Sequence, residues 1–247
     1  MGLAIAVLYL AIQRYSLVLA LCFDVAVLYL TLGFRQFSHH FTAIREALEE
    51  GDESKARELL AEWQQVQVGQ IPRSEIVRHV IEYSMIAAHR HVFGVFFWYA
   101  VMSIVGLGPV GAVVYRLAEL AQRRWQENAH DGSVASESLQ SVAARAWQAM
   151  DWLPSRMTAL GFAIVGSFED AMDGWRHHAQ NFPDDNDGVV LAATAGAINI
   201  RLGGGALQGD GESDESNNTE GGSSTPGRPP EVAHFAQVVG LVWRSEE

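Results

Sequence analysis

The sequence predicts an all-α integral membrane protein, with a cytosolic helical hairpin insert and short re-entrant or half-helices. Three observations carry this. Two charge-poor apolar runs lie at 1–34 and 92–115, and the stretch between them is polar with helical spacing. No alternating strand pattern stands out elsewhere, and no repeat of 20–50 residues is present.

Composition narrows the classes. The chain of 247 residues carries 17 basic and 29 acidic side chains, a net charge of −12, and no block of Lys/Arg, which argues against a nucleic-acid partner. The one cysteine, Cys22, excludes an intramolecular disulfide and lies in an apolar run, as a small hydrophobe does.

Residues 1–34 form the first, transmembrane part, with Arg14 and Asp24 as their only charges. The run lacks a basic start and is too long for a secretory signal. Ser16 to Phe34 is long enough for one span, whereas Gly2 to Ile12 is too short to cross alone. That piece is either re-entrant or interfacial, or the chain begins inside a longer helix; the second is the expectation. Asp24, near the middle of the span, should face protein and have a partner, because a carboxylate in hydrocarbon is costly.

Residues 35–91 turn polar. Phe37, Phe41, Ile44 and Leu48 fall on one helical face, Gly51 stops that helix and Asp52 caps the next, "ESKARELLAEWQQVQ". After Pro72 a third helix carries Ile76, Val80, Tyr83 and Ala87 along one stripe. Seven basic residues in this part suit a cytoplasmic loop.

Residues 92–204 are the expected membrane core. Val92 to Tyr115 is uncharged but broken by "GLGPVG", which predicts a kinked span or two half-helices meeting at a protein-lined break. The next stretch, 116–150, is polar and helical with an interruption near "AHDGSVAS". Two short apolar runs follow, at Met157–Phe168 and Gly188–Ile200, and they should pack side by side. Pro154 is expected in the first turn of the former, where a missing N–H costs nothing. The Ala/Gly content of the latter permits close helix approach. Residues 205–230 read as a flexible acidic Gly/Ser/Pro linker, and 231–247 as a C-terminal helix.

The best metal constellation is Glu75, His79 and Glu82, at i, i+4 and i+7 of one helix, a spacing that points three ligands one way. An ordinary solvated face, with Arg78 and Tyr83 alongside, has the same pattern. His39–His40 and His89–His91 are too close in sequence to share a helix face. No phosphate-binding glycine loop is present.

Four stretches, in order, resemble one family. They are "AIREALEEGDESKARELL" (43–60), "GPVGAVVYR" (108–116), "WLPSRMTAL" (152–160) and "AATAGAINIRLGG" (192–204). Each is similar to a segment of the CobD/CbiB cobalamin-biosynthesis proteins, with Tyr115, Pro154, Arg156, Thr158, Gly196, Arg201, Gly203 and Gly204 at the matching positions. The resemblance implies a multi-pass protein of the bacterial inner membrane, with the lipid bilayer as partner. It also implies adenosylcobinamide-phosphate synthase activity, using ATP and Mg²⁺ on a corrinoid substrate. Tyr115, Arg156, Thr158, Arg201, Gly203 and Gly204 then become candidates for substrate or phosphate binding, and arginine suits such oxyanions.

Departures from the family pattern cut the other way. Its Glu-Asn pair falls on Ile86–Ala87 and its aspartate on Arg90, and only Glu82 and, further on, Glu119 remain as catalytic candidates. "MDWLPSR" is similar to AmpE, the branch linked to β-lactamase regulation, which would have a membrane or regulatory protein partner. The readings in play are therefore a divergent, non-catalytic relative, an AmpE-like sensor, and an active synthase with a rearranged site.

Overall fold

The computed structural model describes residues 2–32, 34–64, 69, 71–130, 137–204 and 224–245. The described residues are helical throughout apart from turns and one isolated parallel bridge, Ile200 to Arg228. The helices are α1 (Gly2–Tyr15), α2 (Leu17–Leu32), α3 (Phe34–Glu50), α4 (Glu53–Gln64), α5 (Arg73–Ala88), α6 (Gly94–Ser103), α7 (Gly108–His130), α8 (Glu137–Val165), α9 (Phe168–His178), α10 (Asp185–Ile198) and α11 (His234–Ser245). A wide π turn, His89–Phe93, joins α5 to α6. The chain forms two compact units, Met1–Phe34 with His89–Ser155, and Arg35–Ala88 with Arg156–Glu247.

In the first unit α1 and α2 fold back on each other at a single residue. The Ser16 N–H donates to Ile12 as the last bond of α1, and its carbonyl accepts from Ala20 as the first of α2. Tyr9 thereby reaches Asp24, its hydroxyl donating to Oδ2 at 3.2 Å. The expected mid-run carboxylate does have a partner. The expected spans are not met, however. Helix α2 has 16 residues, or roughly 24 Å, and Gly106, at φ +75°, separates α6 from α7 within the second apolar run. No helix among the described residues is long and apolar enough to cross a membrane. Helices α6 and α7 form a hairpin so close that a Cβ on Gly111 would strike the Trp98 carbonyl. Val95, Ala112, Tyr115 and Trp147 form the buried centre of this unit.

Pro154 corrects the sequence reading. It lies inside α8, a helix of 29 residues, and not at a helix start. A proline there removes the N–H that would bond the carbonyl four residues back, at Met150. The Trp98 indole N–H fills the gap, donating to that carbonyl at 3.2 Å. The vacant acceptor is thus satisfied by a side chain from α6, and the helix continues.

The second unit is built around α5 and α10. Helix α3 ends in the Schellman pattern, with Gly51 at φ +82°, Gly51 N–H on the Leu48 carbonyl and Asp52 N–H on that of Ala47. Asp52 then caps α4, accepting from the Lys55 N–H at 3.0 Å. The hairpin read from sequence is present, and Phe41, Ile44 and Leu48 are buried as expected; the side chain of Phe37 lies outside the described residues. Helix α10 starts on an Asp184 cap and stops at Asn199, in the left-handed region with φ 51°. Its small residues let α5, α9 and α11 all approach, so almost every position from Asn186 to Ala197 is buried. The last turns of α8 pack on it through Ala159, beside Val189 and Ala193.

The expected linker lies outside the described residues up to 223. Its remainder, 224–230, is held: Thr225 is buried and exchanges hydrogen bonds with Leu202, and Arg228 with Asn199 and Arg201. The interruption at 131–136 also lies outside the described residues.

Candidate functional site

Helix α5 begins after Pro72 and is buried on most of its circumference, yet it carries four polar side chains at i, i+3, i+4 and i+7: Glu75, Arg78, His79 and Glu82. That spacing gathers them along one side. Arg78 is the centre. Its Nε and Nη2 reach Glu75 Oε2 at 2.9 and 2.5 Å, and its Nη1 reaches the two oxygens of Glu82 at 3.0 and 3.2 Å. Nη2 also donates to His79 Nε2 at 3.0 Å, which places the imidazole proton on Nδ1, 3.6 Å from Glu82.

A second segment closes the cluster. After the Asn199 turn, Ile200 and Leu202 are buried and anchor residues 199–204, while the 224–228 segment bonds their outer edge. The Gly203 N–H then points at Glu82 and donates to Oε1 at 2.7 Å, joining positions 121 apart in sequence. Gly204, at φ +112°, lies beside the Arg78 guanidinium.

Electrostatics follow from burial. Desolvation raises the Glu82 pKa, and Arg78 and the Gly203 N–H oppose it. Desolvation, then Arg78, pushes His79 down to about 4, so its ring is neutral near pH 7 and accepts from Arg78. Glu75 remains 39% exposed and is the open side of the cluster.

Neither sequence reading of this helix holds. The face is not solvated, since the Arg78 side chain is only 5% exposed. Nor does it suit a metal: a guanidinium, itself a cation, stands among the three proposed ligands. No set of three or more His, Cys, Asp or Glu among the described residues could hold a metal ion. The set Glu75, His79 and Glu82 therefore does not fit a metal ion while the Arg78 guanidinium stands at its centre.

Other candidates are dispersed. Arg156 donates to Asn186 Oδ1 at 3.1 Å, tying α8 to the start of α10. Thr158 is buried and Arg201 exposed. Tyr115 and Glu119 belong to the first unit. There the Tyr115 hydroxyl donates to Asp151 Oδ1 at 2.7 Å, an oxygen that also accepts from His89 Nε2 at 3.0 Å. All three side chains are buried, and Asp151 Oδ2 has no hydrogen-bond partner. Glu119 is buried and paired with Arg116 at 3.0 Å.

Sequence reasoning passed over Arg78, His89, Asp151 and Asn186. Arg78 was visible, being three and four residues from two acids. The other three meet partners 30 to 62 residues away, and no spacing announces that.

The family model described as CobD/Cbib protein matches residues 1–242. A cobalamin biosynthesis protein CobD from Chromobacterium violaceum is 34% identical over 200 residues, 79% of this chain and 60% of that protein. Another of the same name, from Stutzerimonas stutzeri, is 29% identical over 220 residues, 89% of this chain and 68% of that protein. This chain thus spans about 60% of the length of the first relative. No solved structure matches it.

Proposed function

The chain belongs to the CobD/CbiB protein family, and on that premise we propose that it serves cobalamin biosynthesis as a divergent member without synthase chemistry. One observation supports this reading. Glu82, the acid retained where the synthase-like pattern has several, is bound on both oxygens by Arg78 and on Oε1 also by the Gly203 N–H. A carboxylate with a guanidinium across both its oxygens is a poor ligand for a metal–nucleotide complex, because a cation already holds that place, and no step through ATP or Mg²⁺ is assigned to it. Its work is to clamp the 201–204 segment onto α5.

Proposed with it is a bacterial inner-membrane location. Val7, Leu8, Leu10, Leu17, Leu21 and Leu30 are all about half exposed or more, and so many exposed apolar side chains on two helices favour a lipid neighbour.

A second reading, an AmpE-like sensor with a protein partner in the membrane, is favoured by Asp151 of "MDWLPSR". This acid is buried on His89 and Tyr115, a structural use and not a catalytic one. A synthase with a rearranged site, using Glu75, His79, Glu82 and Glu119 on a corrinoid substrate, is the third.

The test is growth of a bacterium lacking adenosylcobinamide-phosphate synthase, with cobyric acid as its corrinoid source. This chain is expressed in it, and its presence in the membrane fraction is checked. The relative from Chromobacterium violaceum, whole and trimmed to the matched region, serves as activity and length control. No growth with this chain, and growth with the trimmed relative, is the expected result. Growth with this chain overturns the non-catalytic reading, and Glu82→Gln then asks which acid works.

A further inference from the structure

Helix α11 buries one face in the second unit, through Phe235, Val238, Leu241 and Val242. The stripe beside that face, Gln237, Gly240 and Arg244 at i, i+3 and i+7, is not spent on the core. With Val165 and Gly166 at the end of α8, and Ile198 at the end of α10, this stripe lines an open groove of about 330 Å³. Glycine leaves the room on the α11 side, since a Cβ on Gly240 would meet nothing within 4 Å. On the other side α8 and α10 meet backbone to backbone. A Cβ on Gly166 would strike the Ala197 carbonyl, which accepts from the Ser167 N–H at 3.0 Å.

The lining identifies the chemistry. Arg244 is its one charged residue, and no carboxylate stands with it. The Arg244 side chain is exposed and, among the described residues, has no ion-pair partner; Glu246 and Glu247 lie outside the described residues. Three large apolar side chains close to the lining in sequence, Ile164, Phe168 and Trp243, are more than half exposed. Size excludes a partner helix. One helical turn, a cylinder about 10–12 Å wide, fills roughly 400–600 Å³, so the groove holds less than one turn. An acyl chain is thin enough to enter. An apolar channel ending at an arginine, with a tryptophan next to it, suits an amphiphile whose head is anionic.

We propose that this groove between α8, α10 and α11 binds one anionic phospholipid of the bilayer. An acyl chain lies along Ile198, Gly240 and Leu241, and the phosphate meets Arg244, whose guanidinium takes phosphate oxygens in paired hydrogen bonds. The site belongs to the second unit and shares no residue with the apolar surface of α1 and α2. It deepens the inner-membrane location proposed above and rests on it for the supply of lipid. The test reads the groove in micelles, so its failure leaves that location, which membrane fractionation tests, untouched.

The test uses the full chain in detergent micelles, to which phosphatidylglycerol or phosphatidylcholine with brominated acyl chains is added. Bromine quenches tryptophan on contact. The chain has seven tryptophans, and the difference between wild type and Trp243→Phe isolates the one beside the groove. Arg244→Gln removes the cation. Arg176→Gln carries the same change in charge at an exposed residue that does not line the groove. Gly240→Leu fills the groove from open space, and because glycine is a poor helix former it should not lower the unfolding midpoint.

The expected result is quenching of Trp243 that half-saturates at about 10-fold less phosphatidylglycerol than phosphatidylcholine. Arg244→Gln should abolish that preference, Arg176→Gln should keep it, and Gly240→Leu should abolish the quenching itself. If Gly240→Leu lowers the midpoint instead, the two arginine variants decide. Absence of Trp243 quenching overturns the proposal, as do equal half-saturation by the two lipids and equal loss of preference in both arginine variants. Self-association in micelles that Gly240→Leu abolishes, without quenching by lipid, gives the groove to a second copy and overturns it too.

Discussion

The side chains that matter most here are the ones whose charge is settled by a neighbour. His79 lies against Arg78 and holds a pKa of about 4, below its ordinary 6.5. A lowered histidine contributes stability that is whole above the unfolded value and is lost as pH falls from 6.5 towards 4, because the unfolded chain then binds the proton first. The loss is at most about 3 kcal/mol. Wild type minus His79→Gln, followed by chemical unfolding across that window, should show it, and a flat difference would contradict it. The raised pKa of Glu82 gives the opposite slope, which is why the difference and not the raw curve is the measurement. In the first unit, Tyr115→Phe removes one of the two donors on Asp151 Oδ1. A buried carboxylate that loses a donor should cost about 1–3 kcal/mol, read as a lower unfolding midpoint.

Among the elements, α8 shows how a helix crosses its own proline. Trp98 supplies the donor that Pro154 withholds from Met150. Trp98→Phe should therefore destabilise, and Pro154→Ala should be more favourable in that background than in wild type, since alanine restores the missing N–H. A double-mutant cycle should give a coupling of about 1 kcal/mol, and additivity would mean that the indole bond does not replace the backbone one. The α3–α4 joint is simpler. Gly51 sits at φ +82°, and nothing lies near the place a Cβ would take. Gly51→Ala should cost about 1 kcal/mol through backbone strain alone, with Gly51→Asn milder, both read as shifts in unfolding midpoint.

For the molecule as a whole, the two units divide the chemistry as they divide the chain. Apolar α1, α2 and α6 fall in the first, and the Arg78 cluster in the second. A lipid-facing first unit predicts that the expressed chain sediments with membranes and is released by detergent; recovery in the soluble fraction without detergent would count against it. By itself the sequence determined the helical class, the Gly51–Asp52 joint, the buried stripe of α3 and the family, because each rests on local periodicity, on a φ angle or on a short motif. It also placed Glu82 and Gly203 in separate motifs. Only the tertiary structure decided that these two meet, that Arg78 takes the place offered to a metal, that Pro154 lies inside a helix, and that α1 turns back at Ser16. Those outcomes depend on partners up to 121 residues apart. Such partners compete for the same donors and acceptors, and which of them wins is settled by packing, which no spacing along one helix records.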